Sequence, residues 1–439
     1  TVKVDDEPGL EDAEVSTIVE TSGFGIVVER AMYFRYGEDR AGGSDSIGAT
    51  RTSDRWFLAE GYTGGNFDTY ILIMNPYEEK VRVRVKFMKP KASQEFACEE
   101  EEPEPEDPEP EPDYITREYD VEPMRRFTVH VDDIPGLEDT EVSAVVEVVG
   151  SECDADRYHY DHGVVAERAM YFDYNGMQGG HCAMGSPEGA RTWYLPEGRT
   201  AGQYDTYVLV MNPYGWETDI KATFMLPCEN GGLANRCEPE DTEDPPDPRD
   251  TEPEPDNVVV MRYRLEPYER FTIPVDGIPG LESTDFSTMV EASEPVVVER
   301  AMYFMVTGLK GEGHNSMGAN LLYRSCLLPE GCTGGAFNTW ILVQNPGREP
   351  LTIKATFMKP EGNPVVEEYE ISPYSRFTIP VDEIPGLEDA EVSTRIDVLY
   401  DWDEEFNFID DYGIVAERAM YFEYNGIAGG HSSIGFGEI

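Results

Sequence analysis

Residues 29–34 read Glu-Arg-Ala-Met-Tyr-Phe, and the same six residues return at 167–172, 299–304 and 417–422. In every copy a short apolar run precedes this hexapeptide and a Gly-rich segment follows it. In three copies a histidine comes directly after the glycine: His181, His314 and His431. One element that returns at long, similar intervals marks an internal repeat, and the rest of the chain has to be interpreted from that repeat.

When the copies are aligned on the hexapeptide, a longer repeat unit appears, and the hexapeptide lies in the second half of that unit. The first half holds one strand-like segment that ends in Asn-Pro, at 68–76, 205–213 and 338–346, and then a second one, at 81–87, 220–224 and 353–357. Apolar residues that alternate with polar ones are typical of strands with one buried face, and Asn-Pro is typical of a turn. Because no segment shows a sustained helical period, the sequence predicts an all-β fold of tandem β-sandwich repeats.

The two halves of the unit do not occur equally often. The first half occurs three times and the second half four times, which divides the chain into a half repeat at 1–50 and complete repeats at 51–190, 191–322 and 323–439. The half repeat carries apolar strands without the strands that normally cover them, and open strand edges favour pairing with another chain. We therefore expect residues 1–50 to dock on the last repeat of a second copy, in a head-to-tail homopolymer. The alternative is that the chain is cut from a longer array of repeats.

The charge of the chain limits its partners. Its 439 residues carry a formal net charge of −54, which makes nucleic acid and anionic membrane surfaces unfavourable partners. No apolar run reaches the ~18 residues of a membrane span, so no membrane insertion is expected. Two acidic, Pro-rich tracts, at 99–112 and 238–255, align with a short hairpin loop of the last repeat and are predicted to be loop insertions. They lack EF-hand geometry, so we expect no cofactor beyond weak screening by calcium or sodium.

Seven cysteines are scattered differently in each repeat, and none forms a Cys-x-x-Cys pair. Cys326 and Cys332 replace Trp56 and Tyr62 of the first complete repeat in the same turn, which predicts a disulfide between them. The other candidate bridges join Cys228 to Cys237 and Cys98 to Cys153.

The sequence contains no Ser/His/Asp set, P-loop or dinucleotide fingerprint, so we expect no enzyme, no catalytic residues and no cofactor-binding residues. The four Glu-Arg pairs are interpreted as structural; adjacent strand residues point to opposite faces, so Glu and Arg should meet different neighbours.

His181, His314 and His431 are interpreted as loop-packing residues, since no further metal ligands stand at fixed spacing. His159 and His162 lie near three aspartates and could hold a divalent cation, but a solvated loop is favoured. The Asp of Val-Asp-x-Ile-Pro-Gly-Leu, at Asp6, Asp133, Asp276 and Asp382 or their neighbours, is predicted to fix a turn through its side chain.

The motifs together resemble a tandem repeat of large exported bacterial cell-surface proteins, usually classed as a domain of unknown function. Its pattern includes Thr-Tyr-x-Leu-x-x-Asn-Pro, Glu-Arg-Ala-Met-Tyr-Phe and Gly-Gly-His-x-Ser-x-Gly. The resemblance implies export, immunoglobulin-like β-sandwich domains and no catalytic residues. We therefore expect an extracellular structural protein that self-assembles into a filament, stalk or surface layer, with a carbohydrate- or protein-binding adhesin as the alternative.

Overall fold

The computed structural model describes residues 1–37, 40–90, 114–151, 162–227, 255, 257–305, 311–399 and 412–438. These residues form the all-β fold that the sequence predicts, with antiparallel strands and three short 3-10 helices at Val4–Asp6, Val275–Gly277 and Val381–Glu383. None of the helices in these ranges is long and apolar enough to cross a membrane. Nearly all of the two acidic loops lies outside the described residues.

The half repeat contributes one hairpin, and the first complete repeat contributes two sheets. The hairpin consists of β1 (Glu29–Tyr36) and β2 (Arg40–Ile47). The repeat that follows has eight strands: β3 (Arg55–Leu58), β4 (Phe67–Asn75), β5 (Val81–Met88), β6 (Tyr114–Val121), β7 (Arg125–His130), β8 (Ser143–Ser151), β9 (Val165–Tyr174) and β10 (Met177–Met184). They pair in the orders β3-β8-β5-β6 and β10-β9-β4-β7.

The other two repeats use the same strand orders. In the second, the strands are β11 (Ala190–Leu195), β12 (Tyr204–Asn212), β13 (Thr218–Met225), β14 (Val258–Leu265), β15 (Glu269–Pro274), β16 (Ser287–Phe304) and β17 (Glu312–Met317). Here β16 is long enough to serve both sheets. In the third, they are β18 (Ser325–Leu328), β19 (Phe337–Asn345), β20 (Leu351–Met358), β21 (Val365–Ile371), β22 (Ser375–Pro380), β23 (Ser393–Leu399), β24 (Val415–Tyr424), β25 (Ile427–Ile434) and β26 (Phe436–Glu438). The immunoglobulin-like connectivity of these sandwiches stays a prediction.

Alternation along the strands builds the core of each sandwich. In β5, Val83 and Val85 point into the core, whereas Arg82 and Arg84 face solvent and pair with acidic residues of β6. Three apolar clusters of this kind fill the three complete repeats. The period of two therefore decides which face of each strand is buried.

The turn aspartates act as predicted in the three complete repeats. Asp132, Asp276 and Asp382 each accept a hydrogen bond from a strand N–H, and the donors are Thr69, Thr206 and Thr339, at 2.8, 2.8 and 3.1 Å. Each contact ties the turn to the strand that ends in Asn-Pro. The asparagine of that strand is buried and also donates to backbone carbonyls, as Asn75 does to Glu79 in the following turn at 2.7 Å and to Val121 at the end of β6 at 3.0 Å.

Candidate functional site

The four Glu-Arg-Ala-Met-Tyr-Phe hairpins meet at the centre of the molecule. We number them hairpin 1 (β1–β2), hairpin 2 (β9–β10), hairpin 3 (residues 299–304 of β16 with β17) and hairpin 4 (β24–β25), and all four share one register. Their second strands pack against one another in cyclic order: β2 on β10, β10 on β17, β17 on β25, and β25 on β2. The chain therefore closes a ring of four hairpins, with hairpin 1 against the last repeat of its own chain.

Aromatic side chains repeat this cyclic order. The phenylalanine of each hairpin meets the tyrosine of the next hairpin edge-to-face, in the pairs Phe34–Tyr171, Phe172–Tyr303, Phe304–Tyr421 and Phe422–Tyr33, with ring centroids 4.9 to 5.3 Å apart. The same phenylalanine lies over a glycine of the next hairpin. A Cβ added at Gly180, Gly313 or Gly430 would stand 3.1, 2.9 or 3.0 Å from that ring. The second glycine of the motif is therefore required by this close approach.

Ion pairs form the third cyclic set. Each hairpin's arginine binds the glutamate of the next hairpin, in the pairs Arg30–Glu167 (2.7 Å), Arg168–Glu299 (2.8 Å), Arg300–Glu417 (3.0 Å) and Arg418–Glu29 (2.8 Å). This confirms that the Glu and Arg of one hexapeptide meet different neighbours. The pairs join segments 117 to 389 residues apart in sequence, and the last of them closes the ring.

A turn of the first half adds a second carboxylate to three of these arginines. Glu60 approaches Arg168 to 2.6 Å, Glu197 approaches Arg300 to 3.1 Å, and Glu330 approaches Arg418 to 3.6 Å. These three arginines are fully buried, whereas 47% of the Arg30 side chain is exposed because the half repeat has no such turn. Burial raises the pKa of Glu197 to about 7, although Arg300 opposes the shift.

We call the contact between consecutive hairpins a seam and name it by the two hairpins. Each of the last three seams brings together three side chains. The first hairpin of the seam supplies its motif histidine, and the turn of the same repeat supplies a glutamate. The second hairpin supplies the residue one place after its own histidine position. The sets are Glu60, His181 and Asn315 in seam 2–3; Glu197, His314 and Ser432 in seam 3–4; and Glu330, His431 and Asp45 in seam 4–1. Burial lowers the pKa of His181 and His314 well below the usual value, so both imidazoles are neutral.

Seam 4–1 differs from the others because it contains three residues of metal-ligand type. One ligand atom from each of Asp45, Glu330 and His431 lies within 4.8 Å of the others, and His431 Nδ1 is 3.0 Å from Asp45 Oδ2. Sequence reasoning interpreted His431 as a loop-packing residue and missed the other two. Asp45 and His431 are far apart in sequence, so no spacing rule connects them. The sequence signal for Asp45 is that its position varies between the repeats, with Cys182, Asn315 and Ser432 as its counterparts.

A single carboxyl group fills the axis of the ring. Glu312 stands where the other hairpins carry Gly42, Gly179 and Gly429, and a Cβ at any of these glycines would collide with its carboxyl group. Glu312 is fully buried; Gly180 N–H donates to its Oε1 at 3.0 Å, and its Oε2 has no hydrogen-bond partner. Burial raises the pKa of Glu312 well above the usual value for a glutamate.

A second group of ligand-type residues lies outside the ring. His130 Nε2 is 3.5 Å from Asp132 and 4.0 Å from Asp68, and all three side chains are partly exposed. Arg40 already pairs with Asp68, and Asp132 accepts the backbone N–H of Thr69. His130 Nδ1 is also hydrogen-bonded to Asp133 at 2.9 Å, so all three members of this group already have partners. Of the loop that holds His159 and His162, for which the sequence favours a solvated loop over a cation site, only His162 is described, and it lies 3.1 Å from Glu79. His159 and the three aspartates lie outside the described residues.

The predicted bridge between Cys326 and Cys332 is wrong. Both are free thiols, because Cys326 points from β18 into the core of its sandwich while Cys332 lies in the following turn beside Gly334. Burial raises the pKa of the Cys326 thiol to about 12. The other four candidates, Cys228, Cys237, Cys98 and Cys153, lie outside the described residues.

The chain was compared with known proteins. No protein-family model matches it, and no curated protein matches it. Among solved structures, it is similar to the crystal structure of Thermotoga maritima 1070, with 20% sequence identity and a TM-score of 0.22 over 26% of this chain and 95% of that chain.

Proposed function

We propose that this chain is a structural protein of a self-assembling extracellular, cell-surface structure, and that residues 1–36 are a joint that binds a further first half of this repeat. The ring supports a structural role because its buried ion pairs and interlocked aromatic rings hold the three sandwiches in one arrangement. Removal of one partner from such a buried pair typically costs about 3–5 kcal/mol. The extracellular setting rests on the resemblance of the repeat motifs to those of exported bacterial proteins.

One observation supports the joint above the others. Residues 1–36, here called the open half-sandwich, are equivalent to residues 128–174, but most of the apolar side chains of residues 1–28 are exposed. Ile18 and Val19 are each 51% exposed, whereas their counterparts Val145 and Val146 are 3% and 0% exposed. An apolar surface of this kind typically marks a binding interface.

The complete repeats indicate what would cover the open half-sandwich. In the second repeat, β11 pairs with residues 288–291 and β12 pairs with residues 297–304 of β16. The same register would place two strands of a partner on residues 17–20 and on β1. Between those strands a partner's Glu-Gly turn would meet Arg30, as Glu197 meets Arg300. The segment that fits is therefore a first half of this repeat.

From the sequence, residues 1–50 are expected to dock on the last repeat of a second copy, whereas in the structure hairpin 1 packs on the last repeat of its own chain. Each first half among the described residues is paired inside its own sandwich. A further first half would therefore complete the joint, and β-strand addition at β1 would supply the contact.

A synthetic peptide of residues 188–212 tests this joint, because it contains β11, the Glu197 turn and β12. Titration of the labelled peptide with the full chain should show saturable one-to-one binding by fluorescence anisotropy. Ile18→Asp with Val19→Asp should abolish the binding, whereas Leu321→Asp, which changes a 48% exposed leucine elsewhere, should leave it unchanged. Absence of binding, or equal binding by all variants and by a scrambled peptide, would refute the joint.

An adhesin is the alternative, and one surface feature favours it. Tyr214 and Trp216 stack with centroids 5.0 Å apart and planes 7° apart, and Trp216 is half-exposed. A flat, exposed aromatic pair can pack against a sugar ring. Binding on a glycan array that Trp216→Ala removes would support this function, whereas an array without hits would leave the structural proposal alone.

A further inference from the structure

We propose that seam 4–1 binds a zinc ion through Asp45, Glu330 and His431. Carboxylate oxygen and imidazole nitrogen are both ligands of Zn²⁺, and three protein ligands with one open position are a common zinc arrangement. Tetrahedral zinc with ligands at about 2.0 Å separates its donor atoms by about 3.3 Å. The 3.0 Å between His431 Nδ1 and Asp45 Oδ2 is close to that value, and all three donors lie within 4.8 Å. Asp45 Oδ2 also accepts a hydrogen bond from Arg418, whereas Asp45 Oδ1 has no partner.

Unpartnered buried atoms point into the same place. His431 is fully buried and neither ring nitrogen has a hydrogen-bond partner; Asp45 Oδ1 has none either, and Glu330 Oε2 has only its 3.6 Å ion pair with Arg418. A buried polar atom without a partner carries a desolvation penalty.

In seam 3–4 His314 Nδ1 bonds Ser432 at 3.0 Å and Arg300 at 3.1 Å, whereas in seam 2–3 both ring nitrogens of His181 are unpartnered as well. Seam 4–1 differs from seam 2–3 because Asp45 places a second carboxylate beside the imidazole. A metal ion would partner the free atoms of seam 4–1 together.

The charge of the seam also favours a cation. Seam 4–1 holds three carboxylates, of Glu29, Asp45 and Glu330, against the one guanidinium of Arg418, a formal net charge of −2. Seams 2–3 and 3–4 each hold two carboxylates against one guanidinium, since Asn315 and Ser432 stand in the place of Asp45. A divalent ion neutralises the additional charge of seam 4–1.

Access from solvent and the number of donor atoms also suit zinc. The Glu330 side chain is partly exposed, which gives the ion a path from solvent. Calcium is disfavoured because it takes 6–8 oxygen ligands.

Isothermal titration of the metal-free full chain with ZnCl₂ tests the site. We expect one saturable site that a matched titration with CaCl₂ does not show. Asp45→Asn gives seam 4–1 the residue that Asn315 provides in seam 2–3, so the variant should fold. Loss of an outer-shell partner lowers metal affinity by about 10–100-fold, and loss of a direct ligand should lower the zinc affinity of this variant by more than that. His431→Gln should have the same effect, and His130→Ala, in the other ligand-type group, should have none.

A gain of binding makes the test independent of any loss of folding. Ser432→Asp gives seam 3–4 the same set as seam 4–1, with Glu197, His314 and Arg300 in place. The zinc stoichiometry should rise from one to two. The proposal is overturned if the full chain shows no saturable zinc site, or if Asp45→Asn and His431→Gln bind zinc as tightly as the unchanged chain.

Discussion

Glu312 is the residue at which the four hairpins differ most at the centre of the ring. Its carboxyl group occupies the space that Gly42, Gly179 and Gly429 leave open. A second side chain would not fit there, so the three glycines and the one glutamate depend on each other. A buried carboxyl group with one N–H donor is unfavourable when it is ionised, which explains the direction of its pKa shift.

This shift predicts how stability depends on pH. The folded state holds the Glu312 proton to a higher pH than the unfolded state, so the free energy of unfolding should fall as pH rises above the ordinary glutamate pKa. The slope from one group reaches at most about 1.4 kcal/mol per pH unit. Glu312→Gln keeps the shape and cannot titrate, so urea unfolding from pH 5 to pH 8 should show a flatter profile. Identical profiles for the variant and the unchanged chain would show that Glu312 does not titrate in this range.

The residues at the seams are the part of the site that sequence reasoning reached least. A period of two shows that Glu and Arg of each hexapeptide point to opposite faces, but it does not show which hairpin covers each face. The Glu29–Arg418 partners are 389 residues apart. Similarly, Cys326 and Cys332 change together in one turn, yet their side chains lie in different environments, and no spacing rule reveals that.

At the scale of the elements, each hairpin packs against two neighbours in the ring. The strands, their turns and the sandwich layers were predictable because alternation, Asn-Pro and the turn aspartates are local signals. The closure of four hairpins into a ring was not, because it depends on shape and charge between distant segments. Arg300 and Arg30 show how unequal these seams are: one is fully buried between two carboxylates, and the other is half-exposed with one.

Matched substitutions of these two arginines should give different results. Arg300→Met leaves Glu197 and Glu417 buried without their cation and should destabilise the chain by about 3–5 kcal/mol. Arg30→Met removes a partly exposed pair and should cost less than about 1 kcal/mol. Thermal and urea unfolding followed by tryptophan fluorescence measures both. Equal effects would mean that the seams do not differ in burial as the structure shows.

At the scale of the whole molecule, three complete sandwiches and one open half-sandwich share one centre. Residues 1–28 contain no strand in the structure, whereas their counterparts in the complete repeats lie in β-sheets. Sequence alone identified this half repeat from the count of motifs. The prediction from sequence places residues 1–50 against the last repeat of a second copy, whereas hairpin 1 packs on the last repeat of its own chain. A count of motifs does not distinguish these two contacts.

Hydrogen exchange should show the difference between the open and the complete repeats. Backbone amides without strand partners exchange quickly, whereas those in core strands exchange only by larger openings. Mass spectrometry should therefore find fast exchange in residues 1–28 and slow exchange in residues 143–148. Addition of the 188–212 peptide should slow exchange at residues 16–20. Protection of residues 16–20 without the peptide would indicate that the chain covers this surface itself.

The closed ring is the central claim, and a photo-crosslink from hairpin 1 tests it most directly. Tyr33 lies 4.9 Å from Phe422, 4.9 Å from Tyr424 and 6.1 Å from His431, measured between ring centroids. Replacement of Tyr33 by p-benzoylphenylalanine, irradiation of dilute protein and mass mapping of the monomer band should identify crosslinks within residues 417–434. Crosslinks confined to residues 1–60, or found only in species of two chains, would contradict the closed ring.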